Sequence, residues 1–86
     1  MNIVGLENVV RKDSHIYYRR EFKADAIIEI MSRKRNVPVE FVLEHKPTGG
    51  IDVSASISED LDYPMVPVVN KLKIFIAELD KQRALP

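Results

Sequence analysis

A period-two alternation of apolar and polar side chains runs through the middle of this chain, and few structures other than a half-buried β-sheet suit it. Successive side chains of a strand point to opposite faces, so one buried face needs an apolar residue at every second position. From Ile16 the even positions read Ile16, Tyr18, Arg20, Phe22, Ala24, Ala26, Ile28, Ile30, and the odd ones Tyr17, Arg19, Glu21, Lys23, Asp25, Ile27, Glu29, Met31. One face is apolar except for Arg20. A strand usually runs to about five or six residues, so this stretch predicts a long bent strand or two segments parted by a bulge near Glu21 to Lys23. A helix competes over residues 23–33, where Phe22, Ala26, Ile27, Ile30 and Met31 also fit a helical stripe. The alternation continues on both sides of that window and favours the strand.

Two further stretches repeat the pattern: Val37, Val39, Phe41, Leu43 against Pro38, Glu40, Val42, Glu44, then Ile51, Val53, Ala55, Ile57 against Asp52, Ser54, Ser56, Ser58. Lys46-Pro47-Thr48-Gly49-Gly50 joins them. Proline presets φ and glycine accepts positive φ, so the segment reads as a hairpin connection. Polar Arg33-Lys34-Arg35-Asn36 suits a turn between the second and third strands, and Arg11-Lys12-Asp13-Ser14 a turn after a first strand over residues 3–10.

The period changes near Met65. Met65, Val68, Val69, Leu72, Phe75, Ile76 and Leu79 fall within an arc of about 120° at helical spacing, a stripe that packs on a sheet. Pro64 and Pro67 belong in or before the first turn, while Lys81 and Arg83 suit the negative end of the helix dipole, with Pro86 closing the chain. The expected fold is α+β: an antiparallel β-meander of about four strands, β-β-β-β-α, covered on one face by a C-terminal helix. At 86 residues, residues 1–86 are expected to form a single domain.

Composition narrows the chemistry. Thirteen basic residues balance thirteen acidic ones, so no global field draws polyanions, and the lack of cysteine excludes disulfides, thiolate metal sites and a cysteine nucleophile. MNIVGLENVV resembles no signal peptide and no apolar run reaches the roughly 18 residues that span a bilayer, so a soluble, cytoplasmic protein with no membrane partner is expected. Gly49 and Gly50 do not open a helix and so form no phosphate loop. His15 and His45 lack paired ligand spacing. Ser54 and Ser56 face outward on a strand without a base, and Glu40 and Glu44 share an outward face that offers no desolvation. Asp52, Glu59, Asp60 and Asp62 lack the ligand spacing of a calcium loop, and the last three suit the positive end of the helix. No catalytic residue, cofactor or metal is expected.

Charge is nonetheless uneven. Residues 11–35 carry eight cations against four anions, and residues 51–62 four anions without a cation. His15, Tyr17, Arg19 and Lys23 are expected in one outward row, an aromatic surface interleaved with cations, with Arg33, Lys34 and Arg35 as a basic turn nearby. That combination suits single-stranded nucleic acid; its bland counterpart is a solvated sheet face, interrupted by Glu21. Basic turns could equally meet the acidic segment of a second copy, and an open sheet has two edges that need cover, so a homodimer is expected. Ile74, opposite the buried helix stripe, is a further candidate contact, with Leu85 close to the stripe. Arg20 marks either a bulge, the preferred reading, or a guanidinium paired with Glu40 or Glu44. The reading that follows is a non-enzymatic interaction or assembly module that binds a macromolecular partner, itself and an unknown protein included, through Tyr17, Arg19, Lys23, Arg33, Lys34, Arg35 and Ile74. Single-stranded nucleic-acid binding is the alternative, and a small enzyme with an unrecognised site the third class.

Overall fold

A computed structural model describes residues Met1–Pro86. Four strands, β1 (Asn2–Lys12), β2 (Arg19–Ile30), β3 (Arg33–His45) and β4 (Ile51–Ile57), form one antiparallel sheet in the order β1-β2-β3-β4, and a single helix, α1 (Met65–Lys81), follows. The fold is the α+β meander that the alternation predicts. Residues 23–30 are strand, because β2 pairs with β3 without interruption from Arg19↔Glu44 to Ile30↔Arg33. The expected bulge near Glu21 to Lys23 is therefore absent from β2. The irregularities lie instead in β1, where the register against β2 shifts between Ile3 and Gly5 and again between Glu7 and Val10, next to Asn8 at φ 53°.

Phe22, Ala24, Ala26 and Ile28 of β2 and Val37, Val39, Phe41 and Leu43 of β3 share the inner face. Helix α1 lays Val68, Leu72 and Ile76 on it, and Leu61 tucks in ahead of the helix. Phe22 and Phe41 stack with ring centroids 4.9 Å apart, a contact that adds to their burial. The helix backbone comes nearest to the two edge strands, β4 and β1. Both prolines sit where their missing N–H is harmless, Pro64 at the N-cap and Pro67 in the first turn. At the other end Ala84 N–H bonds to Leu79 O (2.9 Å) and Arg83 N–H to Asp80 O (3.0 Å), with Arg83 at φ 55°; this is a Schellman ending in which arginine occupies the left-handed position that glycine prefers.

Two turns differ from expectation. The β2–β3 connection is Met31-Ser32, at φ 52° and 64°, the mirror-image turn whose twist matches a hairpin. Arg33 to Asn36, expected as that turn, open β3 instead and pair with Ile30 to Ile27. Likewise Arg11 and Lys12 end β1, and β2 begins at Arg19, so Ile16, Tyr17 and Tyr18 lie in the connecting loop. The β3–β4 turn is as read. Gly49 at φ 101° donates to Lys46 O (3.0 Å), and Lys46 N–H bonds to Gly50 O (2.8 Å), a three-residue loop closed by a glycine bulge.

Arg20 lies on the inner face without a bulge. Its guanidinium grips Asp80 of α1 through Nη1–Oδ1 at 2.9 Å and Nη2–Oδ2 at 3.3 Å. The paired reading of Arg20 is the one realised, with a helix carboxylate as partner; Glu40 and Glu44 lie on the opposite face of the sheet. No helix is long and apolar enough to cross a membrane.

Candidate functional site

With α1 on one face, the other face of the sheet is left uncovered, and strand register dictates what it carries. Residues directly opposite one another share a face. The rows across this outer face are Arg19–Glu44–Asp52, Lys12–Glu21–Val42–Ser54, Val10–Lys23–Glu40–Ser56 and Glu7–Asp25–Pro38, with Glu29 opposite Lys34 farther along. Seven carboxylates (Glu7, Glu21, Asp25, Glu29, Glu40, Glu44, Asp52) thus meet four cations (Lys12, Arg19, Lys23, Lys34). The face is acidic, the opposite of what the row of His15, Tyr17, Arg19 and Lys23 suggested.

At its centre lies Glu40. Lys12 Nζ stands 3.0 Å and Lys23 Nζ 3.8 Å from Glu40 Oε1. The hydrogen bond and charge of Lys12, helped by Lys23, hold the Glu40 carboxyl below its ordinary range. Asn8 Nδ2 donates to Asp25 Oδ2 at 2.9 Å, which fixes the left-handed Asn8 over the sheet. Beside them runs an open groove of about 650 Å³, whose walls include Asn8, Lys23, Asp25, Pro38, Glu40 and Ser56. It offers hydrogen-bonding groups of both kinds. No three His, Asp or Glu side chains converge closely enough to hold a metal.

The residues singled out from sequence do not form one patch. Tyr17 is 96% exposed in the β1–β2 loop, its ring edge-on to Tyr18 at 5.7 Å, beside His45, Lys46 and Pro47 at one end of the molecule. Arg33, Lys34 and Arg35 stand at the other end of β3, and the long axis of the molecule measures 40 Å. Alternation then splits the three: Lys34 pairs opposite Glu29 on the outer face, while Arg33 and Arg35 lie opposite Ile30 and Ile28 on the inner one. Arg35 Nη2 contacts Glu59 Oε2 at 3.1 Å, and Lys46 Nζ contacts Asp52 Oδ1 at 3.1 Å. Part of the basic and acidic asymmetry is therefore neutralised within the chain. Arg19 and Lys23 share the outer face, Arg19 with Nη2 3.9 Å from Glu21 Oε1. His15 belongs to the loop. Ile74, 71% exposed, flanks a notch between α1 and Ile3 of β1, where Lys71 Nζ donates to Met1 O at 2.9 Å. Leu85 packs against the core.

The acidic segment before α1 does not cap the helix. Asp60 Oδ1 accepts from Asp62 N–H at 2.9 Å, and the first turn of α1 holds no acidic residue. Sequence reasoning missed Lys12, read as a turn, and with it the Lys12–Glu40–Lys23 cluster. The signal lay in the outward set of β3, since Lys23 falls opposite Glu40 once the hairpin register is known.

No match was found among curated proteins or solved structures. The sequence model of one family covers residues 1–81, almost the whole meander and its helix, and the chain therefore belongs to the BB_0187 family.

Proposed function

We propose that this protein is a non-enzymatic interaction module that associates with itself and presents the outer face of its sheet to a polypeptide partner. The observation that carries this reading is the uncovered face itself: seven carboxylates, four cations and two serines over a groove of about 650 Å³, with the helix wholly on the other side. A surface of mixed charge with an acidic excess complements a basic or mixed polypeptide and repels a phosphate backbone. The decisive experiment compares partners retained from a native extract by the wild type and by the Glu40→Lys, Glu44→Lys double variant. Loss of a defined partner on reversing these outward charges is expected; unchanged retention overturns the outer-face reading.

Single-stranded nucleic-acid binding is favoured by one feature, the exposed Tyr17 beside Lys46 and His45, a stacking surface next to cations. Against it stands the acidic outer face. Titration of a labelled oligonucleotide decides between the two: tight binding that weakens steeply with salt supports nucleic acid, and no binding at low salt eliminates it.

A further inference from the structure

We infer that the free edge of β4 is the seam through which two copies of this chain pair, antiparallel and centred on Ser54, making one continuous eight-stranded sheet. The inference rests on the self-association reading above and specifies its contact. The two edges of the sheet are not equivalent. Edge β1 is broken by two register shifts and carries Arg11 and Lys12 at its end, devices that blunt an edge against pairing. Edge β4 has none of these. Its seven residues, Ile51–Ile57, pair with β3 without a shift and contain no proline, lysine or arginine.

The hydrogen-bond phase of that edge follows from the turn. Lys46 N–H bonds to Gly50 O at 2.8 Å, so Lys46 and Gly50 form the bonded pair that closes the hairpin. The next pair, His45↔Ile51, is then of the non-bonded kind; accordingly His45 N–H turns the other way, to Tyr18 O at 2.8 Å. Alternation directs the N–H and C=O of Ile51, Val53, Ala55 and Ile57 away from β3, toward the open side. An antiparallel copy centred on Ser54 brings Ile51 opposite the second copy's Ile57 and Val53 opposite the second copy's Ala55, so all four residues of each strand find backbone partners.

Charge agrees with this register. On the outer face Asp52 falls opposite the second copy's Ser56, a hydroxyl that can donate to it, and Ser54 meets its own equivalent. No like charges face each other. Beyond the strand ends, the second copy's turn, with Lys46, comes beside Glu59 and Asp60, which follow Ile57. The half-buried Val53, Ala55 and Ile57, already packed against the core, would lose their remaining exposure, extending a core of only 12 buried residues.

At the two-fold axis, Ser54 occupies a non-bonded position, where facing Cα atoms come within about 4.5 Å. A charge placed there meets its own copy, while in the monomer it points to solvent. The test is light scattering or sedimentation across a dilution series of the full chain, wild type against Ser54→Lys, Ser54→Glu and their equimolar mixture, with Val4→Lys on the β1 edge as control. The wild type is expected to approach twice 9.9 kDa at high concentration. Each Ser54 variant alone should dissociate at least about tenfold more readily, because like charges then oppose each other directly. Mixing the two should restore the dimer, and Val4→Lys should leave it intact. A wild type that dimerises but ignores Ser54→Lys, or variants that do not recover on mixing, overturn the β4 seam and leave self-association standing. A wild type that stays at 9.9 kDa throughout overturns both.

Discussion

Replacing Arg20 by Met removes the one ion pair that ties the start of β2 to the end of α1. Arg20 and Asp80 are 20% and 16% exposed in their side chains and are joined by two hydrogen bonds, 2.9 and 3.3 Å long. Met keeps most of the apolar stem but leaves the carboxylate desolvated, and Asp80 sits in the last turn of the helix, where the dipole already disfavours an anion. Breaking a fully buried pair by removing one partner costs about 3–5 kcal/mol. The residual exposure at this site lowers the expected cost to about 2–3 kcal/mol. For a domain of this size, that corresponds to a fall in Tm of about 10–20 °C. Urea unfolding of Arg20→Met, Asp80→Ala and the double variant should yield a coupling above about 1.5 kcal/mol, since the double variant strands neither charge. A cost for Arg20→Met below about 0.5 kcal/mol, the level of an ordinary surface substitution, or additive single effects, would show that the pair does not tie strand to helix.

The Met31-Ser32 turn holds two non-glycine residues at positive φ, so Met31→Asn with Ser32→Gly should stabilise the fold by about 1 kcal/mol, read as a rise in the urea midpoint without a change in slope. Leu72→Ala, at a position with no exposed surface, should cost about 2–5 kcal/mol. Ile74→Ala, two residues on and 71% exposed, should change stability by less than about 0.5 kcal/mol. Because Lys12 depresses the folded-state Glu40 pKa, the stabilisation from that contact is fully present above the ordinary glutamate range and is lost as pH falls through the lowered value. The Glu40 carboxyl resonance should therefore titrate below a free glutamate, and Lys12→Gln should move its midpoint up; coincident curves in the two proteins would contradict the Lys12–Glu40 contact.

How much was legible follows the reach of each signal. Strand identity and facing in β2, β3 and β4, and the α1 stripe, depend on local periodicity, and all were readable. Turn placement failed where chemistry and geometry part: Met31-Ser32 lacks the Asn-Gly signature of its turn type, so the polar Arg33 to Asn36 drew the boundary four residues late. That slip made one basic patch of Arg33, Lys34 and Arg35, which the pleat divides between two faces. Tyr17 suffered the same error at the other end, since alternation extended past Arg19 into a loop. The Arg20 partner was beyond local reading because Asp80 lies 60 residues away, and Leu61, isolated among Asp and Glu, carries no periodic signal for its burial. The acidic outer face was within reach, since the outward positions of β2 and β3 alone carry five carboxylates, Glu21, Asp25, Glu29, Glu40 and Glu44.

Helix α1 seals one side of the sheet, and the other stands open for a partner. Paramagnetic relaxation by a soluble nitroxide, read residue by residue in NMR spectra of the full chain, distinguishes the two sides. Strong attenuation is expected at the side chains of Lys23, Glu40, Ser54 and Ser56, and almost none at Phe22, Val39, Phe41 and Leu72. Equal protection of both sets would mean that the outer face is covered, and the proposed partner surface would not exist.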